Sequence, residues 1–151
     1  MNRSTFEAEL EKNGKIVYAN KGYSMWPLIR QGKDLMVIER PCGRLKRYDA
    51  ALYIRKGDGA YVLHRVLRAK KDEYVICGDN CVKLERGITD DDVIGVLTGV
   101  IRDGKELKAT DFKYRLYAHI WCDLIFIRIP LIYLYRFGVR MFRKIESLFV
   151  K

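Results

Sequence analysis

A serine, a histidine and an aspartate that could act together follow one another along the chain. Ser24 lies in the segment Gly-Tyr-Ser-Met-Trp-Pro, His64 in Val-Leu-His-Arg-Val and Asp79 in Gly-Asp-Asn. A serine hydroxyl is a weak nucleophile unless a positioned base removes its proton, and that base generally needs a third group to fix its tautomer. The chain contains only two histidines, so few side chains are available as a base near neutral pH. The three residues are therefore a candidate nucleophile, base and orienting carboxylate.

Each of these residues also has a purely structural interpretation. Ser24 stands close before Pro27, and serine and proline are both common in turns. His64 is also consistent with a core or edge-strand histidine, and Asp79 with an ordinary turn residue. Asp49 is a weaker second candidate for the orienting carboxylate and is better interpreted as a structural turn residue.

Two other chemistries use the same part of the chain. His64, Cys77 and Cys81 could supply three zinc ligands, although their spacing is looser than that of common zinc sites. Lys56 is an alternative base for Ser24. It precedes Gly-Asp-Gly in a predicted turn, where water would keep its amine protonated.

Five short segments resemble the type I signal peptidases and, more broadly, the superfamily that includes the self-cleaving repressors. They are Ser-Met-x-Pro at Ser24, Tyr-Asp-Ala-Ala-Leu-Tyr at Asp49, the strand with His64, Gly-Asp-Asn at Asp79, and Asp-Val-Ile-Gly-Val at Gly95. Together they cover roughly residues 18–102 in the family's order. His64 stands where a lysine is usual, so the resemblance is to the Ser–His branch.

The resemblance implies a role for each site residue. Ser24 would attack the scissile carbonyl, His64 would accept and return the proton, and Asp79 would orient the imidazole. Gly22 stands where some members carry an oxyanion-hole hydroxyl, so the hole would depend on backbone N–H groups such as that of Ser24. Met25 and Trp26 would anchor the serine turn and contact substrate. The resemblance implies no metal and no cofactor.

Composition indicates a folded body followed by a different tail. With 49% hydrophobic and 32% charged residues in 151, the chain can form a packed core and does not resemble a disordered protein. Residues 1–13 are charged without an apolar centre, so we expect no signal peptide or N-terminal anchor there. The four cysteines lack disulfide-framework spacing, which predicts reduced, partly buried thiols.

The body, residues 1–110, is predicted to be mainly β. After a short helix at residues 5–12, the best strand candidates are residues 35–38, 50–54, 60–67, 73–77 and 93–101, with turns at Gly-Asp-Gly and Arg-Asp-Gly-Lys. This pattern favours curved antiparallel sheets or a partly open barrel of signal-peptidase type. Strand alternation places Val62, His64 and Val66 on one face and Leu63, Arg65 and Leu67 on the other.

The tail, residues 111–151, is predicted to be an amphipathic helix in which Pro130 is the only obvious breaker. It carries eight Lys or Arg and three Asp or Glu, half of the +10 net charge of the chain. On a helical wheel most polar residues share one arc, and one group of apolar residues occupies the opposite side: Leu116, Ile120, Leu124, Ile127, Leu131 and Leu134. His119 is expected to be solvated or membrane-facing.

Three placements of the tail remain open. A span over residues 116–135 has adequate length, since about 20 residues cross a bilayer, but Asp123 and Arg128 near its centre would each cost about 2.5–3.5 kcal/mol. A helix in the membrane interface fits the arc better, and packing on the body or on another copy is the third option. A basic, apolar tail favours an anionic membrane surface over nucleic acid as a partner, so we expect membrane contact through residues 114–150.

The sequence thus predicts a membrane-associated serine endopeptidase that cleaves a leader or signal peptide from a polypeptide precursor. The alternatives are a repressor-like regulator that cleaves itself and a catalytically silent module with the same fold. No helix-turn-helix pattern precedes residue 20 and no scissile linker is evident, which disfavours the regulator.

Overall fold

The computed structural model describes residues 6–149. Thr5, where the first helix was predicted to begin, and Val150 and Lys151 at the end of the predicted tail lie outside the described residues. The elements are, in order, α1 (Phe6–Asn13), β1 (Lys15–Ala19), β2 (Leu35–Glu39), β3 (Ala50–Ile54), β4 (Tyr61–Ala69), β5 (Tyr74–Cys77), β6 (Glu85–Ile88), a 3-10 turn (Asp90–Asp92), β7 (Val93–Arg102), β8 (Lys105–Lys108), α2 (Phe112–Asp123) and α3 (Ile125–Phe149).

All five strand candidates are confirmed as β2, β3, β4, β5 and β7. Both predicted turns are also confirmed, since β3 pairs with β4 and β7 pairs with β8 as antiparallel neighbours. Three strands, β1, β6 and β8, were not among the candidates. β6 and β8 are only four residues long and rich in charged side chains, so they show little apolar alternation. They become strands because a neighbouring strand pairs with them.

The strands form one antiparallel sheet in the order β1-β2-β7-β3-β4-β5-β6, with β8 also paired to β7. The long strand β7 bonds β2 along one edge, and β3 and then β8 along the other. Irregular register occurs in the β2–β7, β3–β7, β4–β5 and β5–β6 pairs, and such bulges bend and twist a sheet. The mainly β body is confirmed, and its sheet is not closed into a barrel.

Apolar side chains cover both faces of the sheet, because neighbouring residues of a strand point to opposite sides. One face carries Leu52 and Leu63 and is covered by α1, by the segment that follows Ser24 and by α2. The other carries Tyr53 and Val66 within a second cluster. The predicted alternation in β4 is confirmed, and it places His64 and Arg65 on opposite sides of one buried strand.

The tail is helical, but it breaks at Leu124 and not at Pro130, which lies inside α3. α2 buries Tyr114, Ala118 and Cys122 against the body, and these contacts fix its direction. No single helix among residues 6–149 is long and apolar enough to cross a membrane. By length and composition α2 and residues 125–146 satisfy that criterion only as a pair, and they meet at an angle of 85°.

Candidate active site

Ser24 lies in a tight turn within the connection between β1 and β2. The turn closes through the N–H of Trp26, which donates to the carbonyl of Tyr23 at 3.2 Å. The side chain of Met25 is buried in the core and anchors the turn from inside, as predicted for an apolar residue beside the serine. The peptide bond between Trp26 and Pro27 is cis.

The Gly-Asp-Asn segment fixes the same turn from the other side. The backbone N–H of Asn80 donates to the carbonyl of Ser24 at 2.7 Å, and its side-chain amide donates to the carbonyl of Tyr23 at 3.2 Å. Two segments far apart in the sequence are therefore locked together at the candidate nucleophile.

Gly78 brings Ser24 and His64 to the same place. A Cβ atom on Gly78 would lie 2.7 Å from the carbonyl oxygen of Ser24 and 2.9 Å from Cδ2 of His64. Only glycine fits there without displacing a neighbour, so the imidazole and the Ser24 turn both pack closely against Gly78. The Ser24 hydroxyl makes no hydrogen bond with His64 in the structure, and such contacts commonly close only when substrate binds.

The opposite edge of the imidazole is held by two polar side chains. Nδ1 of His64 lies 3.0 Å from Oε1 of Glu85 and 3.3 Å from the hydroxyl of Tyr53. An ionised carboxylate only accepts hydrogen bonds, so in neutral His64 the proton resides on Nδ1. Nε2, the ring nitrogen bonded to Cδ2, then carries no proton. A general base for Ser24 needs this tautomer.

Burial keeps His64 neutral near pH 7. Its ring is only 6% exposed, and this burial lowers its pKa below 6.5, although the Glu85 carboxylate acts in the opposite direction. Burial, followed by the interaction with Glu85, raises the pKa of Tyr53, so the phenol stays protonated beside the carboxylate. The site thus holds an uncharged base next to a buried hydrogen-bond network.

Asp79 lies elsewhere than the resemblance implied. Its two carboxylate oxygens accept from Nε and Nη2 of Arg65 at 2.8 and 2.7 Å, and one of them also accepts from Tyr117 at 3.0 Å. Both partners of this ion pair are fully buried. Burial by itself would lower the pKa of Arg65, but Asp79 raises it well above its usual value. The carboxylate that contacts His64 is that of Glu85, and Asp79 is committed to an ion pair that fastens the Gly-Asp-Asn turn to β4 and α2.

Backbone N–H groups are available for an oxyanion in the Ser24 turn. Within residues 6–149, those of Ser24 and Met25 donate to no protein acceptor. Gly22 is exposed and bonds the side chain of Asn20 through both its N–H and its carbonyl, so it shapes the approach to the turn. The indole of Trp26 is partly exposed and stacks on Tyr135 of α3 at 6.0 Å between ring centroids.

The competing assignments are placed away from Ser24 or lack the necessary geometry. Lys56 pairs with Asp92 at 2.9 Å and donates to the carbonyl of Gly87. Asp49 accepts from the N–H of Lys46, which confirms it as a turn residue. His119 is half-exposed and packs against Tyr48 with the two rings tilted and their centroids 3.9 Å apart. In the described part of the chain no three His, Cys, Asp or Glu side chains are placed to hold a metal ion, which leaves the zinc alternative without support.

Sequence reasoning missed Glu85. It stands in the charged segment Lys-Leu-Glu-Arg, without a motif around it. In the sequence Glu85 is distinguished only as the first acidic residue after Gly-Asp-Asn. The neighbouring residues do not indicate that its side chain faces β4. The side chain reaches His64 because β6 pairs with β5, and β5 pairs with β4.

Comparison of the chain with protein-family models, with curated proteins and with solved structures found no match.

Proposed function

We propose that the chain is a serine endopeptidase that cleaves a leader or signal peptide from a polypeptide precursor near a membrane. Ser24 is the nucleophile, His64 the general base and acid, and Glu85 the carboxylate that orients His64. The observation that carries the proposal is the fixed imidazole: one edge is held by Glu85 and the other packs at the Ser24 turn.

The proposed mechanism assigns each step to a residue of the candidate site. Nε2 of His64 removes the proton from the Ser24 hydroxyl as its oxygen attacks the scissile carbonyl. The N–H groups of Ser24 and Met25 stabilise the resulting oxyanion. The imidazolium, stabilised by Glu85, then returns the proton to the leaving amine, and an acyl–Ser24 ester remains. A water molecule, deprotonated by His64, hydrolyses that ester and restores Ser24.

The arrangement of the body supports the signal-peptidase type. Three of the five resembling segments contribute to β3, β4 and β7 of one antiparallel sheet. The other two, which carry Ser24 and Asn80, are turns that bond each other directly. β6 lies at one end of the sheet and begins with Glu85. An extended substrate added along this end would form backbone hydrogen bonds beside His64, and we infer a preference for small residues next to the cut.

The test is cleavage of a panel of leader-peptide precursors with Ala-x-Ala sites, with the new N-termini mapped by mass spectrometry. We expect the wild type to produce one defined cut, which Ser24→Ala and His64→Ala abolish, while Lys56→Ala cleaves at nearly the wild-type rate because Lys56 pairs with Asp92. Loss of cleavage in Lys56→Ala with retention in His64→Ala would assign the chemistry to a Ser–Lys pair instead.

The pH profile tests the role of Glu85. Because burial lowers the pKa of His64, we expect the acid limb of kcat/KM to fall below pH 6.5. In Glu85→Gln the charge that raises this pKa is gone, so the limb should move to still lower pH. The rate on the plateau should fall by roughly 10²–10⁴-fold, because the amide no longer enforces the Nδ1–H tautomer.

The matched control is Glu106→Gln on β8, which removes the same charge from the exposed hairpin. Its acid limb and plateau should equal those of the wild type. An unchanged acid limb in Glu85→Gln, or a shift to higher pH, would contradict the assignment of Glu85.

A further inference from the structure

The described residues expose apolar surface very unevenly. Twenty large apolar side chains are exposed, and fourteen of them lie between residues 112 and 145. Monomeric soluble proteins rarely leave large contiguous apolar areas open to water. The concentration on α2 and α3 therefore indicates a surface that binds something.

The side of the tail that the helical wheel predicted as apolar is the exposed side. It comprises six residues, each roughly half-exposed or more and referred to below as the α2–α3 surface: Leu116, Ile120, Leu124, Ile127, Leu131 and Leu134. The body packs instead against Ile132 and Arg128, which are buried on another side of α3.

The α2–α3 surface is continuous with the candidate active site. An apolar groove of about 260 Å³ opens between α2 and α3, and Trp26 and Asn80 form part of its wall. Arg136 of α3 donates to the carbonyl of Asn80 at 2.7 Å, and Tyr135 stacks on Trp26. Whatever binds this surface therefore lies next to the Ser24 turn.

The charges around the surface are positive. Beyond Tyr135, α3 carries Arg136, Arg140, Arg143 and Lys144 against the single acid Glu146, and neither Arg140 nor Arg143 forms an ion pair among the described residues. Arg128 lines the groove, is 4% exposed, and its Nε has no hydrogen-bond partner. An anionic headgroup would meet the exposed guanidinium groups of Arg140 and Arg143 here, whereas Arg128 is buried and already donates to the carbonyls of Trp121 and Cys81.

We propose that the α2–α3 surface docks on an anionic phospholipid leaflet, with α3 lying in the plane of the interface and the Ser24 turn held at the membrane. An apolar face flanked by Arg and Lys is the pattern of interfacial helices. The 85° angle between the helices opposes a straight span. Asp123 opposes it as well, because its ion pair with Arg47 at 2.5 Å fastens the end of α2 to the body.

The experiment is vesicle flotation with phosphatidylcholine alone and with phosphatidylcholine containing phosphatidylglycerol. All proteins carry Ser24→Ala, so that binding is measured without catalysis and independently of the proposed hydrolase activity. We expect binding to the anionic vesicles that weakens with salt. Leu131→Glu with Leu134→Glu should reduce it at least tenfold, and these side chains are 57% and 67% exposed, so folding should be unaffected.

A charge-matched pair separates the electrostatic contribution. Arg140→Glu with Arg143→Glu should reduce binding at least tenfold, since each basic residue near an anionic surface contributes about 1 kcal/mol. Lys105→Glu with Lys108→Glu, the same change in charge on β8, should leave binding nearly unchanged. A vesicle-induced blue shift of tryptophan fluorescence that Trp26→Phe removes would place the Ser24 turn at the lipid.

Three results would overturn the proposal. The first is partition that is equal for both vesicle types and for all variants. The second is a lipid-free dimer in light scattering that Leu131→Glu with Leu134→Glu dissociates, which would assign the surface to a second copy. The third is resistance to alkaline carbonate extraction, which would show that the helices span the bilayer.

Discussion

Ser24→Ala and His64→Ala should each lower kcat/KM for precursor cleavage by about 10⁴-fold or more, and the double variant should be no slower than either single variant. In the proposed mechanism the two side chains act in one step, and removing either leaves the other without a function, so their effects should not add. Single-turnover kinetics on a precursor that the wild type cleaves measures the cleavage rates of the two single variants and of the double variant.

Each substitution has a matched control in the same chain. His119→Ala removes the only other histidine, which packs against Tyr48, and Ser147→Ala changes a serine near the end of α3. Both should retain the wild-type rate. If the rate losses of Ser24→Ala and His64→Ala instead multiply in the double variant, the residues work independently and the proposed proton transfer is wrong.

Arg65→Leu should lower the free energy of unfolding by about 3–5 kcal/mol, because it leaves a buried carboxylate without its counter-charge. Both Arg65 and Asp79 are 0% exposed, so water cannot solvate the remaining Asp79. Arg65 also donates to the carbonyl of Tyr48 at 2.9 Å, and this acceptor loses its partner as well. Urea unfolding followed by circular dichroism measures the loss.

The control is the same substitution at an exposed ion pair. Arg55 bonds Asp58 at 2.5 Å on the surface, and Arg55→Leu should have a far smaller effect, because water screens that pair. Arg65→Leu combined with Asp79→Leu should recover part of the loss, since no unpaired charge remains. Equal losses in Arg65→Leu and Arg55→Leu would show that the buried pair does not stabilise the fold.

The same measurements separate Asp79 from Glu85. Sequence reasoning expects Asp79→Asn to impair cleavage, and the structure gives a reason that acts through folding: Arg65 loses its counter-charge and the turn that carries Asn80 loosens. We therefore expect Asp79→Asn to lose stability together with activity. Glu85→Gln should lose activity and shift the acid limb with little loss of stability, because Glu85 is partly exposed at one end of the sheet.

Much of the fold follows from local sequence. β2, β3, β4, β5 and β7 each form where a short, mostly apolar run ends in a turn segment, because period-two alternation and tight turns need only neighbouring residues. The alternation in β4 also determined that His64 and Arg65 point in opposite directions. In the tail, the side predicted as apolar by helical periodicity is the side left exposed.

The contacts between distant residues required the tertiary structure. Glu85 contacts His64 because β4, β5 and β6 pair in that order. Asp79 does not, because it forms an ion pair with Arg65. Neither the strand pairing nor this ion pair can be predicted from the residues next to Glu85. The bend at Leu124 likewise results from packing of α2 against the body, and no local breaker marks it. The sequence by itself determined the candidate nucleophile, the candidate base and the apolar side of the tail. Only long-range pairing decided which acid lies against His64 and that the exposed helices lie beside the Ser24 turn.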